Sequence, residues 1–210
     1  MNEHKFSSVI ISSWNLLCSF YNKAPQIEIS DFVCFKDQSS AQVIIEENHQ
    51  SDTLYLAVVF PDELKKNFES TGQLNPQTLS IVCEEVSHFF HLTSAAINES
   101  QISVLQLETL AEIDRFVSFL YWNTFHPEIS LRPSVESCHQ VCDLLFEQRK
   151  FVCEDKNLYQ DAENIAFLHI QRAFSHCWTN QHFDARRFDS RARDYIANLF
   201  HAGHPILYTA

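Results

Sequence analysis

Two glycines in 210 residues, Gly72 and Gly203, constrain this chain more than any other feature. Backbone-built nucleotide sites need glycine wherever the main chain must approach a phosphate or turn sharply. The Rossmann fingerprint, the P-loop and the nucleophile elbow all depend on it. Two isolated glycines can form none of them. The exclusion is steric, and it argues against kinases, NTPases, dinucleotide-dependent dehydrogenases and α/β-hydrolases. It leaves untouched any chemistry that side chains on helices supply alone, metal chemistry included.

The length suits one large domain, or one domain with a small appendage. An apolar fraction of 45% supports a real core, and 18 phenylalanines against a single methionine make it bulky and rigid. A formal charge of −12 argues against a nucleic-acid-tracking surface and suits basic partners. No apolar run approaches the roughly 20 residues of a bilayer span. The opening Met1-Asn2-Glu3-His4-Lys5 leads into a stretch broken by Ser12, Ser13 and Asn15, unlike a signal peptide. Seven scattered cysteines do not form a disulfide framework, so a reducing cytoplasm is the expected compartment.

Along the chain, Val9, Ile10, Trp14, Leu17, Phe20 and Tyr21 have helical spacing over 8–22. Three β-branched, aromatic runs follow at 27–35, 41–47 and 53–60. Polar turns separate them, and short connections favour an antiparallel meander. From Asn75 onward the pattern is helical, with helices expected near 76–98, 102–122, 135–148, 158–178 and 190–201. Asn75 reads as an N-cap before Pro76, and Gly203 as a cap past the last helix. The expected class is α+β: an N-terminal helix and small antiparallel three-stranded sheet over 1–72, then a mainly helical bundle over 73–210, packed as one unit.

The segment Cys83-Glu84-Glu85-Val86-Ser87-His88-Phe89-Phe90-His91 carries the most chemistry. On a helical wheel Leu79, Val82, Val86, Phe89, Phe90 and Ile97 make the main apolar face. Ile81, Glu85, His88 and Leu92 make a second stripe, so the helix is covered on both sides. Glu85 and His88 have the Glu-x-x-His spacing of carboxylate metal sites in bundles. Glu108 and Glu112, with Arg115 one turn on, could add carboxylates from the next helix, and His169, Arg172 and His176 share a later strip. A full di-metal pattern needs a second Glu-x-x-His, which is absent. The plainer reading makes Glu85–His88 and Glu112–Arg115 buried ion pairs that fix helix register, with Glu84 and His91 on solvated faces.

Cys138 and Cys142, four apart, with Cys153 further on, lack an obvious fourth zinc ligand and read as buried structural thiols. The basic cluster Arg186, Arg187, Arg191 and Arg193, with Arg172 and His182, could bind an anion or an acidic partner. The interleaved Asp184, Asp189 and Asp194 favour local neutralisation. Two functions follow. The first is an interaction protein, meaning an adaptor, chaperone-like or regulatory subunit with a protein partner and no nucleotide cofactor, whose sheet edge could accept a strand. The alternative is an enzyme using iron, manganese or zinc held by Glu85, His88, Glu108, Glu112, His169 and His176. A membrane role and nucleic acid are not expected, and a homo-oligomer is left open.

Overall fold

A computed structural model describes residues 5–22, 27–48, 50, 53–72, 74–125, 138–147, 155–179 and 182–201. Cys153 and Gly203 lie outside them. The chain is α+β, as its patterning requires, with a small sheet set against helices. Helix α1 (Lys5–Tyr21) buries Phe6, Ile10, Trp14, Leu17, Phe20 and Tyr21 on one stripe. The indole of Trp14 lies 5.6 Å from the Phe89 ring and 5.7 Å from that of Phe90, seating α1 on a later helix.

The sheet departs from the expected meander. A 3-10 turn (Ile29–Asp31) occupies the start of the first run, and β1 is only Val33–Lys36. Strands β2 (Gln42–Asn48) and β3 (Thr53–Pro61) form the expected hairpin. The order, however, is β1-β3-β2, with β1 parallel to β3, so the sheet is mixed. Burial explains it. Val58, Val59 and Phe60 are wholly inaccessible and need neighbours on both edges, so the most apolar strand takes the centre. The short link between β1 and β2 then has to span two strand spacings, about 10 Å, well within its reach.

Helix α2 (Asp62–Thr71) follows β3 directly and stops at Gly72, whose φ of +64° carries the left-handed cap that donates to the Phe68 carbonyl. Helix α3 (Pro76–Ile97) begins as its cap chemistry predicts: the Asn75 side chain accepts from the Thr78 amide at 2.8 Å. Helix α4 (Val104–Phe125) starts with a reciprocal box in which the Gln106 amide donates to Ser103 Oγ and the Ser103 amide to Gln106 Oε1. Helix α5 (Cys138–Cys142) runs on into a π turn over Asp143–Glu147. Helix α6 (Lys156–Phe174) ends earlier than expected. A 3-10 turn (Ser175–Cys177) and the two-residue strands β4 (Trp178–Thr179) and β5 (His182–Phe183) intervene. Helix α7 (Ala185–His201) starts five residues before the expected position 190, because Asp184 caps it by accepting from the Arg187 amide at 3.0 Å.

One apolar cluster joins α1, the sheet and the helices, from Phe6 through Phe60 and Phe116 to Ile196. Helix α4 is its axis. Every residue from 108 to 120 is buried, charged ones included. No described helix is long and apolar enough to cross a membrane.

Candidate functional site

A helix buried on all sides must pair whatever polar groups it carries, because an unpartnered buried charge costs several kcal/mol. Between Glu108 and Ser118, α4 carries five polar side chains beyond Thr109, and α3 meets it with Glu84, Glu85, Ser87, His88 and His91. They sort into three groups along the α3–α4 interface.

The first is His88 between two carboxylates. Its Nε2 lies 3.3 Å from Glu108 Oε2 and its Nδ1 lies 3.8 Å from Glu85 Oε2, with all three side chains at most 12% exposed. Burial alone would favour the neutral ring. The Glu108 and Glu85 carboxylates outweigh it and hold the imidazole up to a pKa of about 10. Burial pushes the Glu85 carboxyl up from its ordinary range, against the pull of His88. The folded pKa of His88 stands above its ordinary 6.5. Protonated His88 therefore stabilises the fold fully below about pH 6.5, and that contribution is lost as pH rises through about 10.

The second group centres on Asp114, which has no solvent access. Its carboxylate accepts from the Tyr21 hydroxyl at 2.8 Å and from the Ser87 hydroxyl at 2.6 Å, and His91 Nε2 lies 2.9 Å away. These residue types can run acyl-transfer chemistry. Here no described hollow is lined by any of them. Their geometric consequence is register: one carboxylate ties α1, α3 and α4 together. Burial, with Asp114 adding to it, drives the Tyr21 hydroxyl pKa well above its ordinary value, so it remains a donor.

The third group is Arg115, also without solvent access. It pairs with Glu112, lies 3.7 Å from Glu84 Oε2, donates to the Leu145 carbonyl at 3.1 Å and stacks over the Phe146 ring. Nearby Cys83 is buried, which pushes its thiol up to about 12.

The sequence-derived candidates are thus partly gathered and partly scattered. Glu85, His88 and Glu108 meet. Glu112 is taken by Arg115. His169 Nδ1 contacts the Tyr195 hydroxyl at 2.6 Å, and His176 sits in the 3-10 turn, where burial and, after it, the charges of Arg191 and Arg187 lower its pKa. Because His88 turns its two nitrogens to opposite carboxylates, those three side chains do not converge on a common point. Among the described residues no group of three or more His, Cys, Asp or Glu side chains is placed to hold a metal ion. Glu84 and His91, expected on solvated faces, are instead part of the interface. His91 is 2% exposed, and Ile97, expected on the apolar face, is 56% exposed. Both errors come from α3 being wrapped more fully by α1 and α4 in its middle than at its end.

Tyr21, Ser87 and Asp114 were not read from the sequence as site residues. The available signal was Asp114-Arg115 inside α4, where apolar residues occupy every side of the wheel. Elsewhere, Cys138 and Cys142 are buried; their mutual hydrogen bond, with burial, raises the Cys138 thiol. Of the arginines, Arg193 is drawn away to Asp189, to Ser19 Oγ at 2.9 Å and over the Phe20 ring, pinning α7 to α1. Arg172, Arg186, Arg187 and Arg191 are exposed.

No protein-family model matches the chain, and no curated protein or solved structure is significantly similar to it.

Proposed function

We propose that the protein is an interaction module that docks an extended segment of a protein partner on its β2–β3 hairpin. One observation carries the reading. The register places Val43 opposite Val58 and Ile45 opposite Leu56 on one face, with position 47 opposite Leu54. At the root this face is core, and Val58 is wholly buried. Towards the tip the same stripe continues into solvent: Ile45 is 45% exposed and Leu54 43%, with Tyr55 on the other face at 55%. No described strand pairs with the outer edge of β2, which leaves backbone groups free for an added strand. Covering three half-exposed apolar side chains contributes on the order of 3 kcal/mol, enough to matter in a modest complex.

The hairpin also states the chemistry of its partner. Residues 42–61 contain Glu46, Glu47 and Asp52 and no Lys or Arg, within a chain of charge −12. A segment alternating apolar and basic residues complements it. The metal-dependent reading gains no support from the arrangement of its six side chains: Glu85, His88 and Glu108 meet without converging, Glu112 is taken by Arg115, His169 contacts Tyr195, and His176 lies in the 3-10 turn after α6.

Selection from a random 12-residue peptide library tests the proposal. The expected binders are extended, apolar and basic, and lose affinity on Ile45→Glu or Leu54→Glu while the melting temperature holds. Peptides insensitive to both substitutions would overturn it. So would a concentration-dependent dimer dissolved by the same changes, because the occupant would then be a second copy.

A further inference from the structure

The first turns of α3 stand between two hollows. One, of about 410 Å³, lies between the β1–β2 turn, the start of α2 and α3, and Glu63, Glu84 and Glu85 line it. The other, of about 500 Å³, shares Asn75, Gln77 and Ile81 with the first and adds Leu144 and Leu145. No described Lys, Arg or His side chain lines either one.

The charge beside the first hollow does not balance. Glu85 and Glu108 share a single cation, His88. Glu85 is only 8% exposed, and its Oε2 takes no hydrogen bond; His88 Nδ1 at 3.8 Å is its paired cation. Buried negative charge therefore sits on a wall of the hollow where solvent compensates it poorly, and exposed Glu63 adds to it at the mouth. A buried charge of this kind is costly until a counter-charge arrives. The amino end of α3 contributes roughly half a positive charge confined to its first turn, where Asn75 already caps it, so the full carboxylate charges prevail.

We infer that this hollow is a binding site for an organic monocation, an alkylammonium or guanidinium group, whose head meets Glu85 and Glu63 and whose stem runs along Ile81 towards the second hollow. The lining carboxylates do not gather into a metal-holding group among the described residues, which suits an organic head that hydrogen-bonds to them singly. A hard divalent ion would need several more converging oxygens than the wall presents. The same chemistry occurs in a free polyamine and in a lysine or arginine side chain of a partner. The inference stands independently of the hairpin.

Titration of the isotope-labelled protein with n-butylammonium and n-butylguanidinium tests it by amide shifts. Saturable binding is expected, with shifts at residues 38–41 and 77–85, and Glu85→Gln weakens it about tenfold, as loss of one charged partner does. Glu63→Gln, on the surface and safe for folding, weakens it by a smaller factor, and Tyr55→Ser leaves it unchanged. Spermidine and N-acetyl-lysine amide as further ligands separate a free polyamine from a basic side chain as the source. Non-saturable shifts, equal affinity in Glu63→Gln and the parent, or displacement of the amines by micromolar zinc or manganese would each overturn the assignment.

Discussion

The α3–α4 interface and the tip of the β2–β3 hairpin invert the usual distribution of side chains. In the interface, Glu112, Asp114 and Arg115 are closed off from water among phenylalanines. At the tip, Ile45, Leu54 and Tyr55 stand in water on a strand with an open edge. The interface tolerates its charges because each meets specific partners, and those of Asp114 and Arg115 reach across to neighbouring elements, so its polar groups specify one alignment of α1, α3 and α4. Nothing in the described chain plays that part for the hairpin. Around Asp114 and Arg115 buried polarity is satisfied from within the molecule, while the exposed apolar tip awaits something outside it.

The largest expected effect is on Arg115. Arg115→Met strands Glu112 in the core and should cost about 3–5 kcal/mol in urea unfolding, whereas adding Glu112→Leu should restore much of that loss. If the double variant were as damaged as the single one, the pair would not be the source of the cost. Next comes Asp114→Ala, which leaves Tyr21, Ser87 and His91 without their common acceptor. A loss of about 2–4 kcal/mol is expected, and a loss below about 0.5 kcal/mol would show that the network does not set register.

Smaller and pH-dependent is His88. Stability should fall as pH rises from about 7 to 10, with a slope of at most ~1.4 kcal/mol per pH unit, and His88→Gln should flatten that slope. An unchanged slope would place the titration elsewhere. The smallest effects belong to the hairpin tip: Ile45→Thr, Leu54→Ser and Tyr55→Ser should each shift stability by no more than about 0.5 kcal/mol. A core-sized penalty at any of them would erase the contrast between the two regions.

The two regions also differ in how far the amino-acid pattern revealed them. β-branched and aromatic composition and polar turns are local, so β2 and β3 emerged close to their true limits. The pairing of β1 with β3 is non-local, decided by which strand most needs two neighbours, and no short-range pattern shows it. The cap at Asn75 was legible because its chemistry sits within four residues, whereas Gly72 was read as the seam at the end of 1–72 and not as the cap of α2. The start of α7 was missed because Asp184 was weighed as a neutraliser of arginines rather than as a cap. In the site, Glu85 with His88 and Glu112 with Arg115 were visible as intrahelical spacings. The approach of Glu108 to His88 and of Tyr21 and Ser87 to Asp114 depends on helix packing. The wheel of α3 suggested solvent for His91 because it shows one helix at a time.

The bond from Tyr21 to Asp114 joins residues 93 positions apart. A ribosome adding roughly 5–20 residues per second needs on the order of 5–20 seconds to bring the second partner into existence after the first. For most of that interval α1 has been synthesised while the α3 residues that cover Trp14 are still to come, and the carboxylate that anchors Tyr21 comes last. Its aromatic stripe is then a naked nascent segment. Newly made chains should therefore depend on a holding chaperone early in synthesis, and that dependence should end once α4 has emerged from the exit tunnel.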